Sequence, residues 1–253
     1  MIKVSKIHIS PVKSLGLRDL SKVHVGEAGI IEDRRFFLIG SDGNLITQRQ
    51  IGQISQIIAA YVPESNFLSL KFPDGTSNVE NIILGGSVNV TMFGRHVTGN
   101  VLEGKWTEKL SNYCGREIRI IQSQEACVNQ DVSPISIMSE ATIDNLTYLS
   151  QGKTLFTSAR FRPTLVLSGC HAYEEDEWVG NEISVGSKLR VDIVSRDPRC
   201  AITTLNPESG TRDFDTLRFL LENRPDFERP YLGVYGRIKS PGNVEIGDEL
   251  STV

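Results

Sequence analysis

Apolar and polar residues alternate with a period of two along much of this chain. Leu68, Leu70 and Phe72 fall on one face of a segment, and Val88, Val90 and Met92 on one face of another. Leu189, Val191 and Ile193 alternate with Lys188, Arg190 and Asp192. Successive side chains of an extended backbone leave on opposite faces, so this pattern predicts half-buried strands. Turn clusters separate the runs: Ser41-Asp42-Gly43-Asn44, Pro73-Asp74-Gly75-Thr76 and Asn206-Pro207-Glu208-Ser209-Gly210. Asp-Gly tolerates positive φ and so favours hairpins. Helical spacing is sparse. Trp106, Leu110 and Tyr113 predict one helix, stopped by Gly115. Ser139 suits the N-cap of a second, carrying Ile143, Leu146 and Leu149 and ending near Gly152. Phe214, Leu217 and Leu221 predict a third, stopped before Pro225. The fold class is therefore mostly β with a few short helices, a β-rich α+β chain in largely antiparallel sheets closed into barrels.

The chain has 253 residues, enough for one large domain or two smaller ones with a real core. A division near residue 120 is expected, with a strand-rich unit over 1–120 and a second over 121–253 that opens near the strand around Ile118 and Ile120. Lys3 and Lys6 interrupt the apolar N-terminus, which reads as a first strand rather than a signal peptide. No apolar run is long enough to span a bilayer, so a cytoplasmic protein without membrane contact is expected. The net charge of -4 and the absence of a basic stripe with interleaved aromatics argue against nucleic acid as a partner.

Cysteine usage narrows the chemistry further. Cys114, Cys127, Cys170 and Cys200 are scattered, which fits neither a zinc knuckle nor a disulfide framework. His8, His24, His96 and His171 show no metal-binding spacing, and nucleotide-binding and α/β-hydrolase motifs are missing. Cys200 lies in Ser195-Arg196-Asp197-Pro198-Arg199-Cys200-Ala201-Ile202-Thr203-Thr204. Cationic neighbours favour the thiolate, the form that ligates metals or attacks electrophiles. On local chemistry alone, a small buried hydrophobe is the more frequent role of a free cysteine. Three further segments place cations at strand ends: Pro11-Val12-Lys13-Ser14-Leu15, Asp33-Arg34-Arg35-Phe36 and Arg160-Phe161-Arg162-Pro163. Lysine and arginine beside hydroxyls suit phosphate, although each alone is more often a surface ion pair.

Taken together, these segments resemble MOSC-domain proteins that carry a MOSC N-terminal β-barrel, in particular bacterial relatives of the mitochondrial amidoxime-reducing component. The similarity rests on Pro11-Val12-Lys13-Ser14, Asp33-Arg34 with Phe36, and Ser133-Pro134 followed by Ser139-Glu140-Ala141. It continues through Phe161-Arg162-Pro163 with Ser168-Gly169-Cys170, Arg199-Cys200 with Thr203-Thr204, and Pro241-Gly242 with Ile246-Gly247-Asp248. All six occur in family order. Thr164 stands where the family often has Asn, and Asp197-Pro198 where it often has Cys-Ser, which bears on substrate preference.

The resemblance implies an N-terminal β-barrel-like domain over 1–120 and a molybdenum-cofactor-binding MOSC domain over 121–253. It implies Cys200 as the metal ligand and a pterin-type molybdenum cofactor. Lys13, Ser14 and Arg34 would hold the terminal phosphate; Arg162 and Arg199 would hold the pterin or its phosphate-bearing end, with Ser133 and Thr203 beside them. The implied activity is reduction of small N-hydroxylated compounds, hydroxylamines and amidoximes. Asp197 is a candidate proton donor, and its alternative role is an ion pair with Arg196 or Arg199. The isolated cysteines cannot build an iron–sulfur cluster, so a separate electron donor is expected, either ferredoxin-like or a flavin or iron–sulfur reductase. A cofactor-binding or carrier protein without turnover is the alternative, and no pyridoxal-phosphate domain accompanies the chain to make it a sulfurase. A third reading makes Cys200 a hydrolytic nucleophile, which needs a histidine within hydrogen-bond reach.

Overall fold

The computed structural model describes residues 1–252. Seven strands close into a barrel in the order Leu165–Ser168, Ile135–Ser139, Tyr231–Ser240, Leu189–Pro198, Glu182–Val185, Glu249–Thr252 and Ile2–Ile9. The last of these pairs back onto the first, with Ile7 opposite Leu165 and Val4 opposite Leu167. Closure removes the exposed edges that an open sheet would leave. Only Ile135–Ser139 and Leu165–Ser168 run parallel, joined through the helix Glu140–Leu149. The alternating residues fill the barrel: Leu189, Val191 and Ile193 are buried beside Ile7, Ile137, Leu167 and Val234. The first strand of the chain thus completes a barrel otherwise built from residues after 134.

The intervening residues form a five-stranded sheet, ordered Leu45–Ile46, Phe36–Gly40, Ile118–Ser123, Arg95–Glu103 and Ile83–Met92, and a three-stranded sheet of Ile58–Val62, Phe67–Lys71 and Ser77–Asn81. Phe36–Gly40 is buried on both faces. Phe36 and Leu38 meet Leu68, Leu70 and Trp106, while Phe37 and Ile39 meet Val90, Met92 and Ile121. The strand around Ile118 was expected to open the second unit. It pairs instead with Phe36–Gly40 and Arg95–Glu103, because both of its faces, Ile118 and Ile120 on one and Ile121 on the other, have cores to fill there.

The helices follow their local signals. Trp106–Cys114 ends at Gly115, whose φ of 67° is the left-handed cap that glycine adopts freely. Ser139 caps Glu140–Leu149 by accepting the Thr142 N–H at 3.1 Å. The third expected helix runs Thr216–Asn223, but it buries Thr216 and Leu220 and leaves Leu221 exposed. Asp215 accepts the Arg218 N–H as the N-cap, which leaves Phe214 ahead of the helix, and Leu220, with Phe219, packs in the cluster of Phe156 and Phe161. A four-residue helix, Ser158–Phe161, was not anticipated; it precedes Arg162 in the left-handed conformation.

The two halves meet at a backbone-on-backbone contact. A Cβ placed on Gly52 would lie 1.8 Å from the Gly210 carbonyl oxygen. Gln56 Nε2 donates to Glu208 O at 2.7 Å beside it. Gly52→Ala is therefore expected to lower unfolding stability by about 1–3 kcal/mol through overpacking, read as a shift of the urea midpoint. An unchanged midpoint would mean that this contact yields without strain.

Candidate functional site

Between the two halves lies a cavity of about 320 Å³. Every residue singled out from the sequence lines it: Lys13, Ser14, Arg34, Ser133, Arg162, Asp197, Arg199, Cys200 and Thr203. Lys13 and Ser14 come from the loop after the first strand. That loop is fixed by its backbone, since Lys13 N–H donates to Phe36 O at 2.7 Å and Gln48 Nε2 donates to Ser14 O at 2.8 Å. Asp33 braces the neighbouring turn by accepting Ser10 N–H at 2.7 Å and pairing with the Arg34 guanidinium. Ser14, Arg34 and Arg162 all hold positive φ, at 71°, 51° and 58°. Non-glycine residues in this region cost about 1–3 kcal/mol each and concentrate where function over-determines the backbone.

Cys200 follows the bulged end of Leu189–Pro198, where register shifts against Tyr231–Ser240 break the ladder and re-aim the chain. Its carbonyl accepts both Thr203 N–H at 3.0 Å and Thr203 Oγ1 at 2.9 Å, closing a turn around the thiol. The Thr203 hydroxyl is thereby committed to backbone, as is that of Ser133, which donates to Gly236 O at 2.8 Å. Arg199 is similarly engaged. Its donors reach Leu232 O and Phe161 O at 2.8 Å each and Asp197 Oδ2 at 2.8 Å. Gly233 makes room for it, because a Cβ there would sit 3.1 Å from Nη2. Arg199 thus fixes the strand end that presents Cys200.

Electrostatics distinguish the remaining cations. Lys13 donates to Asp131 and to Asn129 O at 2.7 Å each, and burial pulls its ammonium below the usual lysine range. Arg160 forks onto Asp213 at 2.8 Å through both terminal nitrogens, yet its Nε is buried without an acceptor among the described residues. Arg162 and Arg49 line the same cavity with no carboxylate partner within ion-pair distance among the described residues. Arg162 donates to Leu15 O at 2.8 Å, and burial together with Arg34 pulls it down to about 10. Asp197 sits among these groups, its carboxyl pushed up to about 6 by burial against the pull of Arg199. The Tyr235 phenol adjoins it and is driven upward by burial and by Asp197.

Sequence reasoning had not marked Thr47, Gln48, Arg49, Phe93, Asp131, Arg160 or Tyr235 as site residues, though all line the cavity. Arg49 and Phe93 stack together, with the guanidinium carbon 5.1 Å from the ring centroid. They come from a loop and a hairpin tip that carry no local signature. Arg160 alone had a signal, its place two residues before Arg162.

The nucleophile reading of Cys200 loses its footing. No histidine lines the cavity among the described residues. His8 binds Asp19 and Ser158, His24 binds Asn243, and His171 faces Glu174. A thiol nucleophile would lack its base. The other cysteines are half-buried: Cys114 and Cys170 pack against apolar clusters, and the Cys127 thiol donates to Ile30 O at 3.5 Å. Burial pushes the Cys114 thiol up to about 11 and Cys170, beside Glu174, up to about 12.

Residues 1–117 match the model of the MOSC N-terminal beta barrel domain, and residues 124–251 match that of the MOSC domain. The chain belongs to the MOSC family. It is 26% identical to mitochondrial amidoxime reducing component 2 of Macaca fascicularis over 286 residues, covering 98% of this chain and 82% of that protein. It is 25% identical to the human component 2, with the same coverage. The crystal structure of the YUAD protein from Bacillus subtilis aligns over 100% of this chain and 96% of that one, at 12% identity and a TM-score of 0.46. The MOSC-matched segment supplies Cys200, Asp197, Arg160 and Arg162 to the cavity. The segment matched by the N-terminal barrel supplies Lys13, Ser14, Arg34 and Arg49. No helix is long and apolar enough to cross a membrane among the described residues.

The cavity fits an anionic metal cofactor on three observations. It holds one thiol, Cys200, among the described residues; it holds two cations, the half-buried Arg162 and the exposed Arg49, with no carboxylate in ion-pair reach among the described residues; and Arg160 keeps an orphaned donor beside it. Among the described residues no three His, Cys, Asp or Glu side chains gather into a metal cage, so a metal here would need most of its ligands from a cofactor.

Proposed function

We propose that this protein holds a molybdenum cofactor through the Cys200 thiolate and reduces N-hydroxylated compounds with electrons from a separate donor protein. The observation that supports this reading is the meeting of one thiol and unpaired cations in a single cavity between the two halves. The relatives named for amidoxime reduction supply the reaction class.

Lys13, Ser14, Arg34 and Arg162 would hold the phosphate-bearing end of the pterin, and Arg49 extends the same cationic wall. Phosphate is well matched to Arg forks and to a lysine point charge. Cys200 would hold the metal, and a coordinated thiol is deprotonated outright. Arg199, Thr203 and Ser133 act on the backbone, keeping the Cys200 turn and its neighbouring strand in place. The bound cofactor supplies the two-electron chemistry that removes oxygen from nitrogen. Cleaving an N–O bond to an N–H bond and water takes two electrons and two protons, so protons must reach the bound substrate.

Asp197 is the buried acid available for this. With its carboxyl near 6, it carries a proton at Oδ below that pH and is an anion paired with Arg199 above it. Only the protonated form donates. The turnover rate kcat is therefore expected to fall as pH rises through about 6, and Asp197→Asn should remove that step from the profile. A wild-type profile that is flat through this range would assign Asp197 to the ion pair alone.

The reading is tested by loading the protein with cofactor and supplying reduced viologen with benzamidoxime or a hydroxylamine. Formation of the amidine or amine supports a reductase. Stoichiometric molybdenum with no product, and release of the cofactor to an apo-enzyme, would favour a carrier.

A further inference from the structure

His8 lies outside the main cavity, yet it touches the residues on either side of Arg162. Its side-chain Nε2 meets Ser158 Oγ at 2.9 Å, and its backbone N–H donates to Thr164 O at 2.9 Å. Ser158 O in turn accepts Arg162 N–H at 2.8 Å. The positive-φ turn that presents Arg162 is thus gripped at both ends by one buried residue. Asp19 holds the other imidazole nitrogen, with Nδ1 to Oδ1 at 2.6 Å. An acidic acceptor there keeps Nδ1 protonated, so in the neutral ring Nε2 accepts the Ser158 hydroxyl proton.

A second cavity, of about 360 Å³, opens on this chain of bonds. It shares Gln48, Arg160, Arg162 and Ile202 with the main cavity. The charged groups facing His8 are Asp19 from the strand Arg18–Leu20, Lys6 from its own strand and Arg162. Glu208 and Arg160 line the same space. The order Ser158–His8–Asp19 is that of a hydrolytic triad. Here, however, the serine is buried and the aspartate side chain is 77% exposed, the reverse of what a nucleophile and its orienting acid require.

We propose that His8 is a positioning residue for Arg162, and that its protonation is coupled to anion binding in the main cavity. This rests on reading that cavity as the seat of the cofactor phosphate. Burial, with Lys6 and Arg162 adding to it, holds the imidazole below its ordinary range against the pull of Asp19. An anion seated on Arg162 offsets that cation and lets His8 take up a proton. By linkage, protonating His8 strengthens anion binding by the same factor.

The probe is inorganic sulfate, which stays dianionic, titrated by calorimetry between about pH 5 and 8 into cofactor-free protein, with Asp197→Asn as the common background of the parent and of every variant so that the carboxyl near 6 in the same cavity adds no slope of its own. The parent is expected to bind about fivefold or more tightly as pH falls through the His8 titration. His8→Gln keeps a bond to Ser158 and has no titration; it should retain the affinity seen near pH 8 and lose the pH dependence. His8→Ala should bind about tenfold more weakly throughout, with Ser158 left unpaired. The parent's pH slope in His8→Gln would overturn the coupling, and the parent's affinity in His8→Ala would overturn the positioning role. Labelling of Ser158 by a fluorophosphonate would overturn both by making the chain a nucleophile. Sulfate binding that survives Arg162→Met would instead defeat the reading of the main cavity itself.

Discussion

Cys200→Ser is expected to cut turnover of N-hydroxylated substrates by at least about 10²-fold while leaving the protein folded. Even the outer partners of metal ligands cost about 10–100-fold when removed, so loss of the ligand itself should cost no less. A serine oxygen is hard where the thiolate is soft, so the coordination of molybdenum should change even where some metal is retained. The fold should tolerate the change. Cys200 is only partly buried, belongs to no apolar cluster, and contributes its backbone carbonyl rather than its sulfur to the local turn. Such a substitution is expected to stay within about 0.5 kcal/mol of wild-type stability. Elemental analysis for molybdenum and phosphorus, with X-ray absorption for coordination, checks the claim. Equal metal with unchanged coordination in both proteins would sink it.

Arg162→Met is expected to stabilise the cofactor-free protein and to spoil it for its cofactor. The guanidinium is held between the two cavities beside Arg34, with one hydrogen bond, to Leu15 O, and no carboxylate partner among the described residues. Losing that bond costs about 1 kcal/mol. Removing a half-buried charge that faces Arg34, with Asp33 and Asp131 beyond ion-pair distance, recovers more, a part of the several kcal/mol that a fully buried ion costs. The second term wins. The net gain should be about 1 kcal/mol, or about 2–4 °C in Tm for a protein of this size. Losing a charge-assisted contact of about 1.5–3 kcal/mol should weaken phosphate binding roughly 10- to 100-fold. Calorimetric melting of the cofactor-free protein and phosphorus content after loading test the two halves separately. A lower Tm with unchanged phosphorus would show that Arg162 serves the fold.

Local rules were legible wherever one residue's neighbours decide its state. Ser139 caps its helix, Gly115 ends another, and the Leu189 to Ile193 alternation points into the barrel as its period requires. Long-range pairing was not legible. Nothing in the Ile118–Ser123 pattern says which sheet it joins, because an alternating strand satisfies any pair of cores that flank it. The same divide runs through the site. Cys200, Lys13 and Arg34 lie in motifs and could be named. Arg49, Phe93, Asp131 and Tyr235 became visible only once loops from distant parts of the chain met around one cavity. The commitments of Arg199, Thr203 and Ser133 to backbone carbonyls were hidden for the same reason.

The barrel also sets a timetable. Ile2 faces Leu250, and Lys3 faces both Glu249 and Ser168, so this strand is closed into the barrel only by residues that follow it far along the chain. Until then Val4, Ile7 and Ile9 have an unfinished core to enter. Contacts this distant in sequence make folding slow, and an unpaired apolar strand is a hazard while it waits. The sheets built from residues 36–123 need no such delay and can assemble while the remainder is still being made. Cys200 and the phosphate-facing loops therefore come into register late, when the barrel closes on its own beginning.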